Sequence, residues 1–452
     1  VIKSASAADY SITRPVLFNG NVGFGEVVGR TGTLTFEDGM DLNGAVRTLA
    51  VSNPVTKWVE FQGVLSNGGL NKTGPGLLIL SGTNTYGSGT FVNGGTLQGT
   101  TDSLKGAISN NATVIFRQQS DGTYSGTMVG SGAMMKDGPG ILTISGSNTY
   151  SGITTINEGM LMMSGSSAQS PHTVGGGAML VGTGTVGDIT IDGIVHPGAA
   201  SNTIGTLTAS NVYLAAGGTI RFDLGANCAG SPATNWDLIV SRGGIDLAAT
   251  VDNPFHIEIV GAPTNFVATT AWSWKFIDAA AGAVSGYNIN RFAVDTSGFT
   301  GDTQGGAFLV VEHGGDLYLE FQMPGIAVLG GLGYVAITNN DATPDAADGT
   351  DFGLQPVGSP YEQIFTITNS GLAELGVSNV VLAGSPTFVM SNQPPVAIAA
   401  GAAATFSIVY TATNTVTNTA TVTITNNVPG FSPYTFAIKA VGTIAAPSNF
   451  TS

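Results

Sequence analysis

The chain carries a single cysteine, Cys228, in 452 residues, so no disulfide within it can hold the fold, and burial with backbone pairing must do so. A small buried thiol is the reading of Cys228. Charge is scarce and one-sided: 14 Lys and Arg face 29 Asp and Glu, a net charge of -15, which argues against a nucleic-acid partner. Long apolar runs are missing as well. The most apolar uncharged stretch, Gly325–Ile337, has 13 residues interrupted by glycine, too short to span a bilayer. No Lys follows a Gly, no second Cys completes CxxC, none of the four His opens HExxH, and no GxSxG occurs. P-loop, dithiol, zincin and serine-hydrolase chemistries therefore have no motif here, and no enzyme is expected. No leader pattern is seen at Val1, so the expectation is that any export signal was removed or never existed, and no apolar anchor is visible in the "APSNFTS" end.

What is abundant is glycine, 66 residues, with 19 Pro and 42% hydrophobic residues. Such a chain has apolar side chains enough for a core but breaks helices repeatedly, which points to β-structure. Twenty of the 29 acids are Asp, a turn former.

A self-repeat organises the first two thirds. Lys72–Leu97, "KTGPGLLILSGTNTYGSGTFVNGGTL", returns as Lys136–Leu161, "KDGPGILTISGSNTYSGITTINEGML", at an offset of 64, with 14 of 26 positions identical. Turn formers (Gly74, Pro75, Gly76, Gly82, Asn84, Gly95) recur, and apolar residues alternate between them. The offset divides into about three coils of roughly 21 residues, the winding of a parallel β-solenoid. Short alternating strands continue through "VGTGTVGDITIDGIVHPG" and "WDLIVSRGGIDLAATV".

With Lys-x-Gly-x-Gly, Ser-Gly-x-Asn-Thr-Tyr and the closing Gly-x-Leu strand, these segments resemble the autotransporter-associated β-strand repeat of exported bacterial passenger domains. The resemblance implies a right-handed parallel β-helix over residues 16–322, secretion, and a place at the cell surface. It covers about residues 40–322. Nothing after residue 322 reads as the large translocator barrel of an autotransporter, so self-export is not expected of this stretch.

From residue 323 the pattern changes to longer alternating strands such as "TATVTITNN", with Ala420, Val422 and Ile424 on one side and threonines on the other. About seven such strands predict an antiparallel sandwich over 323–452. "DGTDFG", "FTITNSG" and "TVTITNN" resemble the choice-of-anchor D domain, which implies an immunoglobulin-like module. The fold class expected is therefore all-β: a right-handed parallel β-helix followed by a C-terminal immunoglobulin-like antiparallel β-sandwich.

Two assembly elements are read from the sequence. Residues 1–15 read as an extended segment that either packs on its own subunit or lies on a neighbour's sheet edge, with Val1, Ile2, Tyr10 and Ile12 as assembly candidates. Residues 375–438 contain no Asp, Glu, Lys or Arg, and Phe406, Ile408 and Tyr410 are taken as residues of an uncharged contact face. The function expected is a secreted structural protein forming a filament, sheath or coat as a homopolymer through end-to-end and strand-mediated contacts. The alternative is an adhesin or passenger domain that binds a glycan or another cell-surface partner.

Chemistry-bearing clusters are few. Asp188, Asp192 and His196, spaced by four, place carboxylates on an outward strand face, as in β-helical glycan lyases and hydrolases. Asp341, Asp345, Asp348 and Asp351 crowd one loop, where Asx turns are the favoured reading and hard oxygen ligands for Ca²⁺ the alternative, since no EF-hand pattern is present. Seven Met between Met128 and Met179 read as adaptable core filling. Asn71, Asn111 and Asn449 open N-x-S/T triplets, so each is a candidate glycosylation acceptor.

Overall fold

The computed structural model describes residues 1–2, 8–25, 32–53, 56–199, 203–280, 282 and 284–444. Among them the one helix is the three-residue 3-10 turn Ile289–Arg291; the rest is strand and turn. The chain divides into two units: Val1–Phe266 with Trp274–Gly301 and Val310–Leu319, and a second made of Val267–Ser273, Asp302–Leu309 and the chain from Glu320 onward. The single boundary expected at residue 323 is thus interleaved, because two short segments upstream of it group with the C-terminal unit.

The first unit is a stack of parallel coils. A twelve-stranded sheet runs from Tyr10–Ile12 through Leu34–Phe36, Val59–Phe61 and Leu77–Leu80 to Ile245–Leu247, each strand paired with the next coil. Successive strands of one coil go to different sheets: Thr113–Arg117 joins the twelve-stranded sheet, Gly122–Tyr124 the eight-stranded one, and Met128–Val129 a seven-stranded one, before Ala133–Asp137 returns to the first. Period-2 patterning explains the burial. Leu34, Val59, Leu78, Leu97, Val114 and Met134 occupy matching register positions and all are buried, so the interior is a continuous apolar column. Phe18, Phe24, Phe36 and Phe61 fill the first coils with ring centroids 5.1 to 6.5 Å apart.

Two expectations change here. The stack begins at Tyr10–Ile12, before residue 16, because Tyr10, Ser11 and Ile12 pair with Leu34, Thr35 and Phe36 of their own chain. Ile2 likewise bridges Phe24, its N–H donating to Gly23 O at 2.7 Å. One edge of the 1–15 segment is therefore occupied within the chain, as the own-subunit reading has it. The repeat offset is also not three coils of equal length. Three coils carry Leu78 through Leu97 and Val114 to Met134, 56 residues on, and the equivalent Leu142 lies eight further, on the eight-stranded sheet. The second copy sits three coils along and one face around.

The C-terminal unit holds two five-stranded sheets. One is ordered Val335–Ile337, Ala327–Gly330, Pro360–Thr368, Ala403–Thr411, Phe388–Asn392; the other Asp351–Pro356, Tyr434–Thr443, Thr417–Asn426, Leu375–Gly384, Ala397–Ile398. Pairing is antiparallel except between Asp351–Pro356 and Tyr434–Thr443. Both sheets contribute to one core that includes Phe352, Phe365, Phe406, Val422 and Phe436. Ala420, Val422 and Ile424 are buried, as their alternation predicts. Phe406, Ile408 and Tyr410 are fully buried too, on a central strand, so they are core residues rather than an assembly face.

Candidate functional site

The repeat motif is occupied with holding the coil. The Lys72 ammonium is buried and donates to three carbonyls, Thr73, Gly74 and Gly94, at 3.0, 2.9 and 2.8 Å. Lys136 does the same to Asp137, Gly138 and Glu158 at 3.1, 2.6 and 3.0 Å. Burial pushes Lys72 down to about 8, while three acceptors saturate the three N–H bonds of the charged form at neutral pH. Asn84 and Asn148 are buried and accept from the backbone N–H of Leu65 and Met128, at 2.7 and 2.8 Å. Tyr86 and Tyr150 are buried with hydroxyls on Thr90 and Thr154. Gly95 at φ +64 and Gly159 at φ +67 make the close corners: a Cβ on Gly95 would lie 2.5 Å from Gly74 O.

The outer surface of these coils is polar and interlocked. Asn111 Nδ2 donates to Asn93 Oδ1 at 3.0 Å, Asn93 Nδ2 to Asn71 Oδ1 at 2.9 Å, and Asn71 Nδ2 to Thr48 at 3.0 Å. This amide ladder ties up the nitrogens that glycosylation of Asn71 or Asn111 would need. Asn449 lies outside the described residues.

Asp188, Asp192 and His196 do not gather into a site. Asp192 is exposed and Asp188 accepts from Asn211 Nδ2 at 2.8 Å, both flanking Ile189–Ile191 of the twelve-stranded sheet. His196 ends Ile194–His196 on the eight-stranded sheet, beyond the turn at Gly193, and is buried. Its Nε2 lies 3.1 Å from Asp223 Oδ2 and 3.4 Å from Asp237 Oδ2, with both carboxylates buried. Burial alone would pull the imidazole down, but hydrogen bonds and charge from Asp223 and Asp237 outweigh it and hold His196 up at about 9. The sequence signal for the partners was an acid inside an apolar strand: Asp223 follows Phe222, and Asp237 sits between Trp236 and Leu238.

The Asp341 loop is built of Asx turns. Asp341 Oδ1 accepts from Thr343 N, Asp345 Oδ1 from Ala347 N, Asp348 Oδ1 from Thr350 N and Asp351 Oδ1 from Gly353 N, all within 3.0 Å, and Asp351 Oδ2 pairs with Lys439 at 2.8 Å. Among the described residues the four carboxylates do not gather into one cation-sized cluster, and each is engaged by its own turn. Cys228 is buried, its thiol on Asn265 Oδ1 at 3.1 Å, and burial pushes it up. Of the seven Met read as core filling, Met128, Met134 and Met163 are in the core, while Met135, Met160, Met162 and Met179 are only partly buried.

Of the terminal candidates Val1 is 91% and Tyr10 63% exposed, so their side chains are free at the surface while the strand backbone is paired. The C-terminal unit exposes a second apolar feature that sequence reading missed. Leu332 is fully exposed and Tyr334 is 67% exposed at a left-handed φ of 51°, beside Ile364 at 57%. They border a groove of about 340 Å³ that also includes Tyr361, Glu362 and Thr405.

Residues 70–98 and 136–162 match the family model of the passenger-associated-transport-repeat. A stretch of 116 residues, 25% of the chain, is 34% identical to the adhesin BmaC autotransporter of Brucella suis biovar 1 (strain 1330) and covers 3% of that protein. The chain thus matches only a small part of the length of that curated relative. Among solved structures, the secreted serine protease VesC of Vibrio cholerae is 22% identical over 22% of each chain, with a TM-score of 0.19. A protein of unknown function from Porphyromonas gingivalis W83 is 12% identical over 32% of this chain and 82% of that one, also at 0.19. Resemblances at that score carry no argument about fold or activity. No helix among the described residues is long and apolar enough to cross a membrane.

Proposed function

We propose that this chain is the passenger-type part of a bacterial surface adhesin: a right-handed β-helical stalk with a C-terminal immunoglobulin-like module, exposed outside the cell and without enzymatic activity. The observation that carries the reading is the repeat itself, which matches passenger repeats and whose Lys, Asn, Tyr and Gly all serve the coil. A repeat of that kind is a scaffold that displays something else. The adhesin similarity over 116 residues supports binding as the role of what is displayed.

The contact we assign is the groove at Leu332, Tyr334 and Ile364, where exposed aromatic and aliphatic surface lies beside Glu362 and Thr405. Flat aromatic faces with nearby polar groups suit a glycan or a glycosylated host surface. Self-assembly loses most of its proposed carriers, since Phe406, Ile408 and Tyr410 are interior and Tyr10–Ile12 pairs within the chain.

The test is binding of the purified full chain to glycan arrays and to epithelial cells, with electron microscopy of the same preparation. Saturable binding that falls at least about tenfold in Tyr334→Ala, with the circular dichroism spectrum kept, is the expected result. Regular filaments with no binding to any surface would reverse the choice between the two readings.

A further inference from the structure

Among the described residues, one set of three metal-capable side chains converges: His196, Asp223 and Asp237, with one ligand atom of each within 4.8 Å of the others. The backbone fixes them before any ligand arrives. Asp223 N donates to Asp237 Oδ2 at 2.9 Å, and Asp237 N returns to Asp223 O at 3.1 Å, which locks the two carboxylates side by side. Gly205 N donates to Asp237 Oδ1 at 2.8 Å and sets its rotation. An independent observation is that Asp223 Oδ1, on a side chain 3% exposed, has no hydrogen-bond partner. An orphaned carboxylate oxygen in the interior is costly unless something electropositive meets it. Asp223 also lines an open cavity of about 440 Å³ with Leu224, Gly225 and Gly261.

We propose that His196 Nε2 and the carboxylates of Asp223 and Asp237 form a site for a divalent cation of the zinc class. Ligand bonds of roughly 2.0 to 2.1 Å in a tetrahedron put neighbouring ligand atoms about 3.3 Å apart. The Nε2 separations here are 3.1 and 3.4 Å, close to that spacing, so a cation that displaces the proton of the His196–Asp223 hydrogen bond needs little movement of the imidazole against either acid. The nitrogen ligand selects against Ca²⁺ and Mg²⁺, which take oxygen. Asp223 Oδ1 then completes a bidentate carboxylate or holds a metal-bound water facing the cavity. This site is independent of the adhesive reading and fits a structural metal that pins the long loop between Asp223 and Asp237.

The experiment uses the chelator-treated full chain, titrated with Zn²⁺ by calorimetry and followed by thermal unfolding, with X-ray absorption at the zinc edge on the loaded protein. Expected are about one equivalent bound with micromolar affinity or better, a raised midpoint, and an imidazole signature in the absorption spectrum. Asp223→Asn and His196→Gln should each weaken binding at least about tenfold, while Ca²⁺ fails to compete. Absence of saturable binding by the wild-type chain, or binding kept by both variants, overturns the proposal. Should a variant fail to fold, the wild-type spectrum decides: an oxygen-only shell without imidazole overturns it.

Discussion

Lys72 and Lys136 make the same three-carbonyl cradle on two different sheets, the first on a seven-stranded sheet and the second on the twelve-stranded one. Each ammonium ties the strand it ends to the next coil, through Gly94 O in one case and Glu158 O in the other.

Removal of that group should therefore be felt as stability. Lys72→Met keeps the aliphatic volume but leaves the Thr73, Gly74 and Gly94 carbonyls without this donor. A loss of about 1–3 kcal/mol is expected in urea unfolding, with a similar loss for Lys136→Met. Lys57→Met serves as the comparison, since Lys57 makes an exposed pair with Asp9 at 2.9 Å and its loss should change little.

The corner glycines should respond sharply to a single methyl. Gly95→Ala places Cβ 2.5 Å from Gly74 O at φ +64, so backbone must move. The expected cost is about 2–4 kcal/mol, against about 1 kcal/mol for Gly177→Ala, which has φ +84 but open space around it. Chemical denaturation of the two variants separates steric from conformational strain.

His172 gives the protein an acid-sensitive interior. Its ring is buried, Nδ1 donates to Ser170 O at 2.7 Å, and burial pushes it down to about 4. An unfolded His takes up its proton near pH ~6.5, so this lowered folded value contributes stability in full above ~6.5, which is lost as pH falls from there toward ~4. The loss attributable to His172 is about 3 kcal/mol. The difference in urea midpoint between wild type and His172→Gln, measured at pH ~7 and ~4.5, should shrink by most of that amount. A difference independent of pH would show that the residue titrates normally.

Phe406 separates core from contact. It stacks on Phe365 with centroids 5.3 Å apart and is fully buried. Phe406→Ala should destabilise by about 3–5 kcal/mol and leave the sedimentation behaviour of the folded chain unchanged. An assembly residue would show the opposite pair of effects.

Much of this fold is written in period-2 alternation and glycine spacing, and the strands around Leu78, Leu142 and Val422 stand where that alternation puts them. The one-face rotation was hidden because coil length varies: register partners Leu34 and Val59 are 25 residues apart, His172 and Ile189 only 17. Three-residue strands such as Tyr10–Ile12 carry too little pattern to announce a first rung. For Phe406, Ile408 and Tyr410 the alternation is visible in the sequence, and missing charge does not tell interior from interface, since it marks both. The His196 cluster was half legible. Its histidine stood out, but its acids come from a neighbouring coil and from the far side of a loop, where spacing along the chain carries no information.

The three-coils-and-one-face offset of the repeat makes length and direction inseparable. If such a protein grows by duplicating the whole 64-residue segment, each added copy lifts everything beyond it and also swings it by about a third of a revolution. A loop or ligand site downstream would come back to its original bearing only after three duplications, so unequal copy number between relatives would point the same surface toward different neighbours.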